Sequence, residues 1–161
     1  MTIPRAKNLP KNTFTNFNLD VPSDEREQIF PHEIKLENKT ALSPIKILIV
    51  EDTLICQKIT LHMLKKPDYF AELAITGEEA LAKYKQGYDV ILLDLGLPDI
   101  AGIDICRRIR QEIGDTTTPI IAYSTLSNSL RKECFLAGFT EVLTKPCSFE
   151  QLHGVIKQLV S

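Results

Sequence analysis

The fold class turns on Tyr88-Asp89-Val90-Ile91-Leu92-Leu93-Asp94-Leu95-Gly96-Leu97-Pro98-Asp99. An apolar run, Val90 to Leu93, stops at a carboxylate. A run with no polar alternation reads as a strand buried on both faces, as in a parallel sheet. An acid at its carboxyl end, followed by Gly96 and Pro98, lies where open α/β sheets place their ligands. Alone, Asp94 reads equally as a loop or helix-capping aspartate. It is not alone. Glu51-Asp52 ends the apolar run 45–50 in the same way, Ser124-Thr125 ends another, and Lys145-Pro146 ends a fourth. Four such runs bring three acids, a hydroxyl and a lysine to one edge of a sheet.

Outward from this stretch the pattern is regular. Strands are predicted over 45–50, 70–75, 88–93, 119–124 and 141–144. Helices are predicted over 54–65, 78–86, 103–112, 130–137 and 149–160, with Gly77, Gly87, Gly114 and Gly138 punctuating the chain between elements. Strict alternation with short connections implies right-handed crossovers and a parallel sheet covered on both faces. The predicted class is a doubly wound α/β domain over 44–161. Residues 1–43 differ: Pro4, Pro10, Pro22 and Pro31 interrupt a polar stretch with no clear period. That segment reads as an irregular tail or linker, with one short helix capped by Ser23 and stopped by Pro31.

The 161 residues carry a formal charge of −2, enough chain for one domain with a real core. No basic stripe argues for nucleic acid. No window approaches the roughly 18 consecutive apolar residues of a membrane span. The N-terminus lacks the apolar core of a signal peptide, so the expected compartment is the cytoplasm. Cys56, Cys106, Cys134 and Cys147 form no CxxC pair, and His32, His62 and His153 have no metal-ligand spacing. Reduced thiols are expected, with neither a zinc site nor a disulfide framework.

The chemistry of the strand ends follows from their residue types. Carboxylates converging on one edge repel one another unless a cation lies between them. Oxygen ligands without His or Cys suit Mg²⁺ or Mn²⁺. Lys145 adds a positive charge and Ser124 a hydroxyl, and together with a metal these can hold the oxygens of a phosphoryl group. One carboxylate is then free to act as nucleophile and form an acyl phosphate.

These residues carry a resemblance. Ile47-Leu48-Ile49-Val50-Glu51-Asp52, Asp94-Leu95-Gly96-Leu97-Pro98 with Gly102, Pro119-Ile120-Ile121-Ala122-Tyr123-Ser124, Ala137-Gly138-Phe139 and Thr144-Lys145-Pro146 together resemble the receiver domain of two-component response regulators and hybrid histidine kinases. The resemblance implies a flavodoxin-like sheet of order 2-1-3-4-5. It implies that Asp94 is the phosphoacceptor, Asp52 the direct metal ligand, Glu51 its water-mediated neighbour, and Gly96 a carbonyl ligand. Ser124 would bond the phosphoryl group, and Lys145 would be the family's lysine, joined to Pro146 by a cis peptide. The implied partner is a histidine kinase or histidine phosphotransfer protein, with a second copy of the chain as a further candidate. The implied role is signalling through the chain's own phosphorylation rather than turnover of a substrate. The segment before Ile45 resembles the linker that joins a kinase core to a receiver, so the chain reads as a freestanding regulator or as the C-terminal part of a hybrid kinase. Two departures stand out. Val142 occupies a position where many receivers carry Tyr or Phe, and no output domain is expected after Ser161.

Three other readings meet obstacles in the sequence. A phosphohydrolase of the haloacid dehalogenase type needs a second acid two residues after its nucleophile, where Gly96 stands. A receiver-like scaffold that ignores phosphorylation would not need the full set of acids, Ser124 and Lys145. A nucleoside triphosphatase is excluded by the lack of a P-loop. At about 100° per residue, helix 54–65 is expected to bury Ile55, Cys56, Ile59, Met63 and Leu64 and to expose Leu54 and Leu61 beside Lys58 and Lys65. Leu54, Lys58 and Leu61 are therefore the expected partner-docking strip.

Overall fold

The computed structural model of the chain describes residues 43–125 and 128–161. The tail expected before residue 43, with its Ser23-capped helix, lies outside the described residues. Within them, five strands alternate with helices: β1 (Ile45–Val50), α1 (Leu54–Met63), β2 (Tyr69–Ala74), α2 (Gly77–Tyr84), β3 (Val90–Leu93), α3 (Gly102–Arg107), β4 (Ile120–Ser124), α4 (Asn128–Ala137), β5 (Glu141–Thr144) and α5 (Phe149–Leu159). All strand pairs are parallel, in the order β2-β1-β3-β4-β5. This is the doubly wound five-stranded sheet expected.

The two faces of the sheet follow the period-2 alternation of a strand. Leu48, Val50, Ile91, Leu93, Ala122 and Val142 join Ala80, Ile105, Cys106, Ile109 and Cys134 in one cluster, so α2, α3 and α4 cover that face. Ile47, Ile49, Val90, Leu92, Ile121 and Tyr123 join Leu64, Leu152 and Ile156 in the other, so α1 and α5 cover the opposite face. Both faces of β1, β3 and β4 are buried, which is why their sequences read as unbroken apolar runs.

The register sets the strand ends side by side. Val50 pairs with Leu93, and Leu93 with Ala122. Ser124 pairs with Thr144, and the Lys145 N–H donates to the Ser124 carbonyl. Glu51, Asp94 and Lys145 are thus the first residues past β1, β3 and β5.

Two elements depart from the expectation. The helix expected over 103–112 is α-helical only to Arg107 and continues as a π-helical turn over Arg108–Glu112. A widened turn re-aims the side chains that follow it. Arg110, in that turn, donates to the carbonyls of Gly138, Asp115 and Thr118 at 2.9, 2.9 and 2.8 Å, tying helix to sheet corner.

The second departure is the face of α1. Its buried residues are Gln57 and Thr60, followed by Leu64 just past the helix. Ile55 and Ile59, expected inside, are 61% and 52% exposed. Leu61, expected outside, packs with Met63 against the core. The helix takes its phase from a polar contact: the buried Gln57 amide donates to the Glu51 carbonyl at 2.9 Å. Positions 57, 60, 61 and 64 then form the inward stripe at i, i+3, i+4, i+7. Leu54 shares the azimuth of Leu61 but lies in the first turn, where it is 63% exposed. The docking strip of Leu54, Lys58 and Leu61 is therefore split: Leu54 and Lys58 face out and Leu61 does not.

Candidate functional site

Lys145 is the hub of the strand-end cluster. Its Nζ donates to Asp94 Oδ2 at 2.6 Å and also to Glu51 Oε2. All three side chains are shielded from solvent, Glu51 most of all at 2% exposure. The Lys145 ammonium also lies 5.2 Å from the centre of the Tyr123 ring, which gives its stem an aromatic wall. The Lys145–Pro146 peptide is cis, as expected.

Each acid has a distinct setting. Glu51 uses both oxygens within the protein: Oε1 accepts the Thr53 N–H at 3.1 Å, and Oε2 takes the Lys145 bond. Asp52 is exposed, and among the described residues its Oδ1 accepts only the Thr53 hydroxyl at 3.2 Å. Asp94 Oδ1 accepts the N–H groups of Leu95 and Gly96 at 2.6 and 3.2 Å. Burial pushes the Asp94 carboxyl up, but the Lys145 ammonium and the Ser124 hydroxyl outweigh it, so the group is held below the usual carboxylate range. Burial likewise opposes the charge on Lys145, and its bonds to Asp94 and Glu51 outweigh that and raise its pKa.

Oxygens of Glu51, Asp52 and Asp94 all lie within 4.8 Å of one another. Three carboxylates against one ammonium leave an excess of negative charge. The donors are oxygens only, which fits a hard divalent cation. The site residues expected from the sequence thus come together: Glu51, Asp52, Asp94 and Lys145 in one cluster, Ser124 buried beside Asp94, and Gly96 on the adjacent loop.

The loop after β3 is packed closely. The Gly102 N–H donates to the Leu95 carbonyl at 3.0 Å, and a Cβ on Gly102 would lie 2.2 Å from the Asp94 carbonyl oxygen. No side chain fits there. Beside the cluster, a cleft of about 240 Å³ opens among Cys56, Ile59, Thr60, Tyr123, Lys145 and Pro146. Sequence reasoning missed this cleft because it misplaced Ile59, and it missed the bond from Lys145 to Glu51. The strand ends held a signal for that bond: Glu51, Asp94 and Lys145 are each the first residue past a strand of the sheet.

Comparison with known proteins agrees with this geometry. A family model described as the response regulator receiver domain matches residues 47–157. The aerobic respiration control sensor protein ArcB of Escherichia coli is 32% identical over 124 residues, which are 76% of this chain and 16% of ArcB. The response regulator mcs4 of Schizosaccharomyces pombe is 31% identical over 73% of this chain and 28% of its own. The chain therefore spans less than a third of these two relatives. Among solved structures, the chemotaxis protein CheY4 of Vibrio cholerae superposes with a TM-score of 0.66 at 30% identity, covering 72% of this chain and 98% of its own. The receiver domain of sensor histidine kinase PA1611 of Pseudomonas aeruginosa, with a magnesium ion in its active site cleft, gives 0.64 at 33% identity over 73% of this chain and 98% of its own.

Proposed function

The chain belongs to the response regulator receiver family, and from that premise we propose that it is a phosphoacceptor in a two-component phosphorelay, with Asp94 taking a phosphoryl group from a phosphohistidine partner. The observation that carries this reading is the convergence of three carboxylates on one shielded lysine. A carboxylate oxygen of Asp94 attacks phosphorus, the phosphorus–nitrogen bond to the histidine breaks, and an acyl phosphate forms. The low pKa of Asp94 keeps it ionised for that attack. Lys145 and the Ser124 hydroxyl are placed to take up the charge of the phosphoryl oxygens.

Glu51, Asp52, Asp94 and the Gly96 carbonyl would hold Mg²⁺ or Mn²⁺. Bound there, the cation supplies positive charge to the transferring group. Asp52 suits the direct role because it is exposed and lightly bonded, whereas both Glu51 oxygens are already engaged. The Mg²⁺ in the cleft of the related PA1611 receiver supports the assignment.

The partner would be a histidine kinase or histidine phosphotransfer protein. Its docking face consists of Leu54, Ile55, Lys58 and Ile59 on the outer side of α1, with the cleft beside Lys145 next to it. Four free thiols fit a cytoplasmic setting.

The test is incorporation of phosphate from a phosphorylated histidine phosphotransfer domain, with Mg²⁺ and with EDTA. One phosphoryl group per chain with Mg²⁺ and none with EDTA is expected. Steady turnover of p-nitrophenyl phosphate without a stable phosphorylated form would favour the phosphohydrolase, and no reaction at all would favour the scaffold.

A further inference from the structure

Asp99 has no part in the site as described, yet it is bonded across the fold. It lies in the loop between β3 and α3. Its Oδ1 accepts the Gly77 N–H at 2.8 Å and its Oδ2 accepts the Glu78 N–H at 2.9 Å. These are the first two residues of α2. The remaining donors of that turn are taken by Thr76: its hydroxyl oxygen accepts from Glu79 and its carbonyl from Ala80. A helix start leaves its first N–H groups without intrahelical partners. Here two of them are satisfied by a side chain from another element. Their bonds hold the Asp99 carboxyl below its usual range although the group is exposed.

The approach is close as well as bonded. A Cβ on Gly77 would lie 2.9 Å from Ile100 Cβ and 3.3 Å from Asp99 Oδ1. The loop rests directly on the backbone of α2. At its other end it is fixed by the Gly102 N–H bond to Leu95 and by the contact of Gly102 with Asp94. Between these two anchors stands Gly96. It has no side chain to hold it, and nothing lies within 4 Å of where its Cβ would be. Among the described residues its N–H bonds only to Asp94, within the same loop. The position of the Gly96 carbonyl is therefore set by the anchors on either side of it.

We propose that Asp99 is a positioning residue for divalent-cation binding: by clasping the start of α2 it fixes the loop that presents the Gly96 carbonyl to the carboxylates of Glu51, Asp52 and Asp94. This rests on the metal-assisted reading of the site. Groups that orient ligands without touching the metal change affinity by about tenfold or more when removed.

The experiment is calorimetric titration of the whole chain with Mg²⁺, alongside thermal melting, for wild type, Asp99→Ala, Asp99→Asn and Thr76→Ala. Asp99→Ala should weaken Mg²⁺ about tenfold. Asp99→Asn keeps the shape and one acceptor, and should weaken it less. It carries the test if the alanine variant does not fold. Thr76→Ala uncaps the same turn without touching the loop, and should lower the melting temperature at wild-type Mg²⁺ affinity. Wild-type affinity in the Asp99 variants would overturn the clasp alone. Equal weakening in Thr76→Ala would also overturn it, because loosening of α2 would then be the cause. A wild type that binds no Mg²⁺ would overturn the metal reading and the role of Asp99 with it.

Discussion

Lys145 is a cation whose worth depends on what it leaves behind. Glu51 is 2% exposed and Asp94 13%, so removing the ammonium strands two largely shielded carboxylates. Breaking a shielded ion pair from one side costs about 3–5 kcal/mol, more than the pair itself is worth against an apolar replacement. Lys145→Met should therefore lose stability of that order in urea unfolding at pH 7. The pH dependence has a definite sign. The pKa of Asp94 is lowered on folding, so its contribution is present above the unfolded value of 3.8 and is lost as pH falls through the lower folded value. The pKa of Lys145 is raised, so its contribution is full below 10.5 and is lost only as pH rises through its folded value. The gap between wild type and Lys145→Met should be widest near neutrality and should narrow toward pH 3, as Asp94, stranded in the variant, takes up its proton. A gap that is constant with pH would mean that the loss comes from packing rather than charge.

At the scale of elements, the strands were legible in the sequence and one helix face was not. Parallel strands covered on both faces leave continuous apolar runs, and the acids that end them mark the site. Asp94, Glu51, Asp52, Ser124 and Lys145 could all be found in that way. The phase of α1 could not, because two of its buried positions are Gln57 and Thr60. A reading that places apolar residues inside must then choose the wrong side. Asp99 was illegible for another reason: its partners, Gly77 and Glu78, belong to a different loop, and no period links them. The corrected face makes a prediction that differs from the sequence-based one. Leu61→Ala should destabilise by about 1–2 kcal/mol through lost burial. Ile55→Ala and Ile59→Ala should leave stability within about 0.5 kcal/mol. Those two should instead slow transfer from a phosphohistidine partner, with a truncated apolar anchor costing on the order of 1–2 kcal/mol. Transfer rates that fall in Leu61→Ala and not in the isoleucine variants would reverse the assignment.

For the whole molecule, the question is how phosphorylation at the proposed acceptor would reach the surface. Val142 is buried on β5, and Arg131 of α4 donates to its carbonyl at 3.0 Å. A β-branched side chain has little rotamer freedom to serve as a switch. Ser124 ends β4, and its hydroxyl bonds the Asp94 carboxylate. Ser124→Ala should therefore blunt the change in amide exchange of α4 and β5 caused by acetyl phosphate, whereas Val142→Ala should preserve it at some cost in stability. Loss of the response in Val142→Ala would place the switch on β5 instead. All of this depends on where the phosphoryl group goes. The most direct measurement is intact and peptide mass spectrometry of wild type and Asp94→Asn after treatment with acetyl phosphate and Mg²⁺. The account predicts a single added phosphoryl group, located on Asp94, and none in Asp94→Asn. Phosphate retained in Asp94→Asn, or found on another residue of the wild type, would contradict it.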